Sequence, residues 1–301
     1  MNVERAISRK NSRLRRKTAY DYINTVLRVA LAAIGISPFL HLIAVAFSSG
    51  NMTSQYLVSL WPREFSTEAF KEVFADNKML VASWVSVKRV FLGTVITMAL
   101  TILTAYPVSL PDREFKPRKF YVTFMMITMM FGGGLIPCYI LNSRLHLVNS
   151  IWVLVVPGAI PIYNVIVILN FFRNIPSSIR EAAMIDGAND FKMLLRIYVP
   201  LSVPCFATLI TFCVIGHWNA WFDGMLYMRE ADLYPLQTYL QAKISSISNI
   251  KSQQKVEQMM LVSDRSLMYA YIALACIPIM LVFPVLSKYI KNGLILGSVK
   301  E

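Results

Sequence analysis

Residues 181–200 read EAAMIDGANDFKMLLRIYVP, a polar, patterned stretch between two long apolar runs. The pattern predicts two short helices and a turn. Pro176 stops helical continuation from the apolar run before it. Ser178 and Glu181 have capping-box spacing: the hydroxyl takes an orphan backbone N–H and the carboxylate reaches back. A short helix then runs to Asp186, and Gly187 suits the left-handed residue that closes it. Asn189 or Asp190 caps a second helix. Phe191, Leu194, Leu195 and Tyr198 recur at helical spacing and give it an apolar side. Pro200 ends it. Ala182 and Ala183 are small enough for another surface to approach closely. Two readings stand here: a docking site, or an amphipathic loop packed on its own bundle.

Working outward, the 301 residues are 56% hydrophobic and only 16% charged, with a mean hydropathy of +0.51. A soluble domain is about 45–50% apolar. A spanning helix needs about 20 apolar residues. Six runs qualify: 23–47, 90–110, 120–139, 151–172, 201–222 and 267–290. The first holds Arg28, Pro38 and His41, so its bounds are softer. Ala44-Val45-Ala46 looks like a signal-peptidase site, yet the run exceeds the h-region of a signal peptide and reads as a retained anchor. The fold class is therefore all-α, a polytopic membrane protein with six transmembrane helices.

Lysine and arginine set the orientation. Arg5, Arg9, Lys10, Arg13, Arg15, Arg16 and Lys17 precede the first run. Arg113, Lys116, Arg118 and Lys119 fill loop 111–119, Arg173, Arg180, Lys192 and Arg196 lie in 173–200, and Lys288, Lys291 and Lys300 lie near the C-terminus. The opposite side is poorer in cations over longer segments. Both termini and the 181–200 stretch are thus expected in the cytoplasm. The net charge of +13 reads as topology and attraction to anionic lipid. It is split among short loops, which argues against nucleic acid as a partner.

Catalytic signatures are missing. There is no GxxxxGK[ST] or GxSxG pattern, and Gly132-Gly133-Gly134 runs into Leu-Ile-Pro with no lysine for a phosphate. The scattered His41, His146 and His217 suggest no metal site. Cys138, Cys205, Cys213 and Cys276 read as small buried hydrophobes. A polar pathway is expected among Thr97, Thr101, Asn164, Asn219, Trp218, Trp221 and Asp223. Thr94, Thr97, Thr101 and Thr104 share a face of the second run, where backbone bonding or helix packing is the commoner use. Intramembrane asparagines face a bundle interior, since lipid leaves them unsatisfied. Tryptophan beside a carboxylate suits a pyranose ring, and is equally ordinary at a membrane interface.

At this point the chain resembles a family. Glu181-Ala182-Ala183, then Gly187, Ile197 and Val199-Pro200 at their spacing, are similar to the EAA loop of ATP-binding-cassette (ABC) importer permeases, with Val199 where leucine is usual. FGGGLIP (131–137), NFFRNIPSSIREAAMIDGA (170–188) and HWNAWFDGMLYMREADLYPLQTYL (217–240) resemble the carbohydrate branch, which handles oligosaccharides and glycan fragments. The likeness covers 91 to the end, and the earlier residues fit by topology. It implies a type I ABC importer permease fold in a bacterial cell membrane. It also implies a second, different permease chain, two cytoplasmic ATPase subunits and an extracytoplasmic sugar-binding protein. By the resemblance, Glu181, Ala182, Ala183, Met184, Asp186 and Gly187 form the helix that docks on the ATPase. Tyr234, Pro235, Leu236, Gln237 and Tyr239 would face the binding protein. The chain itself would bind no cofactor and catalyse nothing, with ATP and Mg on the partner ATPase. The expected organisation is a basic segment 1–22, a first helix and outer segment 23–83, a core 84–291 with cytoplasmic loop 173–200 and outer loop 223–266, and a tail 292–301. Rival readings are the same machine for amino acids, peptides or phosphate, and an intramembrane enzyme or membrane scaffold.

Overall fold

The computed structural model describes residues 19–249 and 263–298. The basic segment before residue 19, part of the outer loop and the last residues of the tail lie outside them. The chain divides into two compact units: 1–70 with 255–270, and 71–254 with 271–301.

Ten helices are named here. They are α1 (Ala19–Ala46), α2 (Asn77–Ser109), α3 (Arg118–Met130) and α4 (Leu135–Arg144). Next come α5 (Ile162–Arg173), α6 (Ser177–Ile185), α7 (Asp190–Leu201) and α8 (Val203–Asn219). Last are α9 (Leu236–Asn249) and α10 (Asp264–Ser298). Every apolar run is helical in whole or part, but they differ in form. α1, α2 and residues 264–282 of α10 are unbroken and long and apolar enough to span. The run 120–139 is instead two helices bent by 117°. Glycine is costly inside a helix, and three in succession at 132–134 give the break. The run 151–172 is helical only from Ile162, after a 3-10 turn at Ile151–Leu154. Pro157, Gly158 and Pro161 punctuate the intervening stretch, and proline withholds the N–H a helix needs.

In the first unit, only Ala44, Val45 and Ala46 of α1 are buried. Ile23, Val26, Leu31 and Ile34 are exposed. An apolar helix with so little of its own chain around it belongs against lipid or another subunit. Beyond α1, Phe47 packs on Phe65 and Phe70 with ring centroids 5.4 and 4.4 Å apart. The hydroxyls of Thr53 and Ser263 hydrogen-bond at 2.5 Å.

In the second unit, α2 packs against α5 and α8. The core gathers at one end of these helices, where Tyr106, Phe172, Tyr198 and Phe206 meet edge to face. At the other end, Asp76 caps α2 through the Lys78 N–H at 3.1 Å. It also accepts from the Tyr239 and Tyr271 hydroxyls at 2.5 and 2.6 Å, with Lys243 Nζ at 3.4 Å. Burial pushes this carboxyl up, but the two phenols and Lys243 outweigh burial and hold it below its ordinary 3.8. A lowered folded pKa contributes stability above the unfolded value and loses it as pH falls through the folded one. Wild-type protein in detergent is therefore expected to lose stability on acidification below about pH 4. Asp76→Asn should unfold about 2 kcal/mol more easily at pH 7 and show a flatter acid limb. Thermal unfolding from pH 7 to pH 3 reads both, and matching curves would remove the role assigned to Asp76.

Candidate functional site

The 181–200 stretch forms two helices and a turn, with local corrections. α6 starts at Ser177 behind Pro176, without a side-chain cap bond. The expected Ser178–Glu181 capping box does not form. Proline occupies the cap position, which puts Ser178 inside the helix and Glu181 more than a turn from its start. The far end follows expectation: Gly187 has φ +75°. Its N–H bonds to Met184 O at 3.1 Å and the Ala188 N–H to Ala183 O at 2.9 Å. This paired closure needs a left-handed residue, where a Cβ is strained. Asn189 caps α7 by accepting from the Lys192 N–H at 2.8 Å. Pro200 does not end α7. A π-turn at Leu194–Tyr198 widens the helix ahead of the proline, which makes room for its ring. The break comes at Ser202, and α8 leaves at 81°.

No residue of α6 is buried. Ile185 is 87% exposed and Met184 53%. Glu181, Ala182, Asp186 and Gly187 are also exposed, whereas Ala183 is half-buried and packs on the core. Thus Ala182, not Ala183, is the small residue on the open face. Two long-range ties hold the loop: Arg180 pairs with Glu114, and the Tyr106 hydroxyl donates to Asp190 at 3.1 Å. Tyr106 belongs to the last turn of α2 and Glu114 to the loop that follows it. Glu181 and Met184 border a cavity of about 770 Å3.

A second cavity, of about 410 Å3, is lined by Arg89, Thr97, Asn164, His217, Asp223 and Tyr227 among others. Arg89 is 2% exposed. It pairs with both oxygens of Asp223 and donates to Ala220 O at 3.2 Å. Its Nε and the Thr97 Oγ1 are buried without a hydrogen-bond partner. Asn164 is buried, with Nδ2 3.6 Å from Cys213 Sγ. The His217 ring lies over Gly93 so closely that a Cβ there would stand 2.4 Å from Nε2.

Of the expected pathway residues, Thr97, Asn164 and Asp223 share this cavity. Thr101 spends its hydroxyl on Thr97 O at 2.6 Å, the helix-internal use. Asn219 and Trp221 are exposed. Trp218 lines a different, apolar cavity with Thr94 and Pro278. Among the residues expected to meet a binding protein, Pro235, Leu236 and Tyr239 are buried in the chain. The Leu236 N–H donates to Ser86 Oγ at 2.7 Å, and Tyr234 packs beside Tyr227 and Met228. Arg89 is not among the expected pathway residues, because it stands just before the apolar run that begins at residue 90. The signal was an arginine bordering that run and an aspartate at the matching end of the fifth.

Residues 78–228 match the family described as binding-protein-dependent transport system inner membrane component. The polygalacturonan/rhamnogalacturonan transport system permease protein YtcP of Bacillus subtilis (strain 168) is 35% identical, over 93% of this chain and 98% of that protein. Protein LplC of the same organism is 33% identical, over 93% and 95%. A chain in the crystal structure of a bacterial ABC transporter involved in import of the acidic polysaccharide alginate superposes with TM-score 0.82. It is 27% identical, over 91% of this chain and 99% of that one. With half of the chain matched by the family and two relatives more than 30% identical over 93% of it, the chain belongs to the binding-protein-dependent transport system inner membrane component family and is a membrane-embedded permease of an ABC importer.

Proposed function

We propose that this permease imports an oligosaccharide or glycan fragment handed over by an extracytoplasmic binding protein. One observation carries the reading: the 410 Å3 cavity is lined by Arg89, Thr97, Asn164 and His217, two of them with unpartnered buried polar atoms. Buried donors are ordinarily satisfied, and hydroxyls or carboxylates of a sugar supply the acceptors. The names of the relatives point the same way, toward glycans and acidic ones.

The rest of the machine follows the family's logic. A second, different permease chain completes the pathway. Two cytoplasmic ATPase subunits bind ATP and Mg, while this chain holds no cofactor and couples to one of them through Glu181, Ala182, Met184 and Asp186, with Gly187 shaping the end of α6. Both termini and α6 lie on the cytoplasmic side, in keeping with the crowding of cations there. Closure of the ATPase pair moves the docked loop, and its ties to α2 carry that motion into the helix that walls the cavity. On the outer face, Tyr234 and Gln237 retain enough exposure to meet a binding protein. The core 84–291 is the transport body, and 23–83 supplies a first membrane helix and an outer segment.

The test is uptake by the complete complex in proteoliposomes with its binding protein. The solutes are fragments of polygalacturonan, rhamnogalacturonan and alginate, set against amino acids, peptides and phosphate. Oligosaccharide uptake, cut more than about tenfold by Asn164→Leu, is the expected result. Preferential uptake of another solute class overturns the substrate reading, and a chain that recruits no ATPase overturns the importer reading.

A further inference from the structure

The start of α3 carries a charge arrangement that transport does not explain. Arg118 and Lys119 occupy its first turn, behind Pro117 and without a side-chain cap. A helix N-terminus is already partly positive, so two cations there are unfavourable. Asp112 answers them in part: Arg118 Nη1 lies 2.7 Å from Oδ1 and Lys119 Nζ 3.7 Å from Oδ2. Nearby, Arg173 ends α5, exposed. It is part of none of the ion pairs among the described residues.

Arg118 and Arg173 line two cavities at once. One is the 770 Å3 cavity beside α6, where Arg113, Arg118, Arg173 and Arg180 face Glu114 and Glu181. Glu114 is already taken by Arg180. The other is a crevice of about 180 Å3 between α3 and α5. Apart from the two arginines its lining is wholly apolar, including Val122, Met125 and Met126 of α3 and Ile162, Ile166 and Leu169 of α5. At 1.5 Å per residue, Arg118 to Met126 spans about 12 Å. A narrow apolar slot with two cations in its lining, on membrane helices, has the chemistry of one ligand.

We infer that the α3–α5 crevice binds an anionic phospholipid, with its phosphodiester between Arg118 and Arg173 and one acyl chain along the slot. The headgroup adds a second anion to Asp112, which alone faces both Arg118 and Lys119 at the start of α3. Acyl chains are equally at home in bulk lipid, so affinity rests on headgroup charge and fit. This separates the proposal from a free-anion site, which has no use for the slot, and from a neutral lipid, which has no use for the arginines.

Native mass spectrometry of the full chain tests it, with phosphatidylglycerol or phosphatidylcholine added to delipidated protein. One phosphatidylglycerol per chain is expected to outlast phosphatidylcholine. Arg173→Gln should weaken it about fivefold, Arg173→Lys should restore it, and Ile166→Trp should exclude it by filling the slot. Among the described residues the Arg173 side chain makes no ion pair and no hydrogen bond, so its loss leaves the chain intact. Equal retention of the two lipids, indifference to Arg173→Gln, or displacement by millimolar inorganic phosphate overturns the assignment. So does absence of the lipid from the assembled complex, which would mean that the partner permease covers the crevice.

Discussion

Ala182→Trp is expected to strip the ATPase from the complex while leaving the permease folded. Ala182 lies on the open side of α6, and no residue of that helix is buried. A large side chain there meets nothing of its own chain, and an exposed substitution usually changes stability by about 0.5 kcal/mol or less. A docked surface has no room for an indole. Loss of about 2 kcal/mol at a docking centre corresponds to roughly thirtyfold weaker recovery of the ATPase. The same change at Ala183 is a different experiment, because Ala183 packs on the core. Overpacking there costs about 1–3 kcal/mol of fold stability. Affinity capture in mild detergent with quantitative mass spectrometry reads the complex, and thermal unfolding reads the chain. An ATPase that stays bound to the Ala182→Trp protein contradicts docking through α6.

Asp223→Asn carries the second large expected effect, on the fold itself. Arg89 has a side chain 3% exposed against 30% for Asp223. Neutralising the aspartate leaves a buried guanidinium with only Ala220 O and one amide oxygen. Removing one partner of a buried pair costs about 3 kcal/mol where the removed partner is partly wet. Arg89→Met with Asp223→Leu should recover most of that stability, because an apolar replacement removes the unpaired charge. The double variant should still fail in uptake. Chemical unfolding of Arg89→Met, Asp223→Leu and their combination forms a double-mutant cycle, with Asp223→Asn read beside it. A single-variant change within about 0.5 kcal/mol, the range of an ordinary surface site, would show that the pair is not an energetic unit.

Local chemistry was legible in the sequence. Gly187 and Asn189 close and open the helices at the places their residue types require, because caps and turns depend on neighbours a few residues away. The six apolar runs were legible too, from their composition. Their shape was not. Three glycines turned one run through 117° and two prolines shortened another, since hydropathy averages over the residues that break a helix. Pairings between distant parts of the chain were least visible. Glu114 and Arg180, Asp76 and Tyr239, Arg89 and Asp223 meet only after α2 has packed on its neighbours. Arg89 stands outside the apolar run at 90–110, and hydropathy alone does not show that α2 begins at Asn77. The resemblance that sent Tyr234–Tyr239 outward also ran ahead of packing, which buries Leu236 and Tyr239.

The contact between Gly93 and the His217 ring constrains how such a sequence can drift. A β-carbon at residue 93 collides with the imidazole, so no single step from glycine to a larger residue is open while the ring stays. A lineage that shrinks residue 217 first is free to enlarge residue 93 afterwards, whereas the reverse order passes through a damaged intermediate. Related permeases should therefore carry the two positions as a linked pair with a direction to their history, one that also reshapes the cavity that His217 lines.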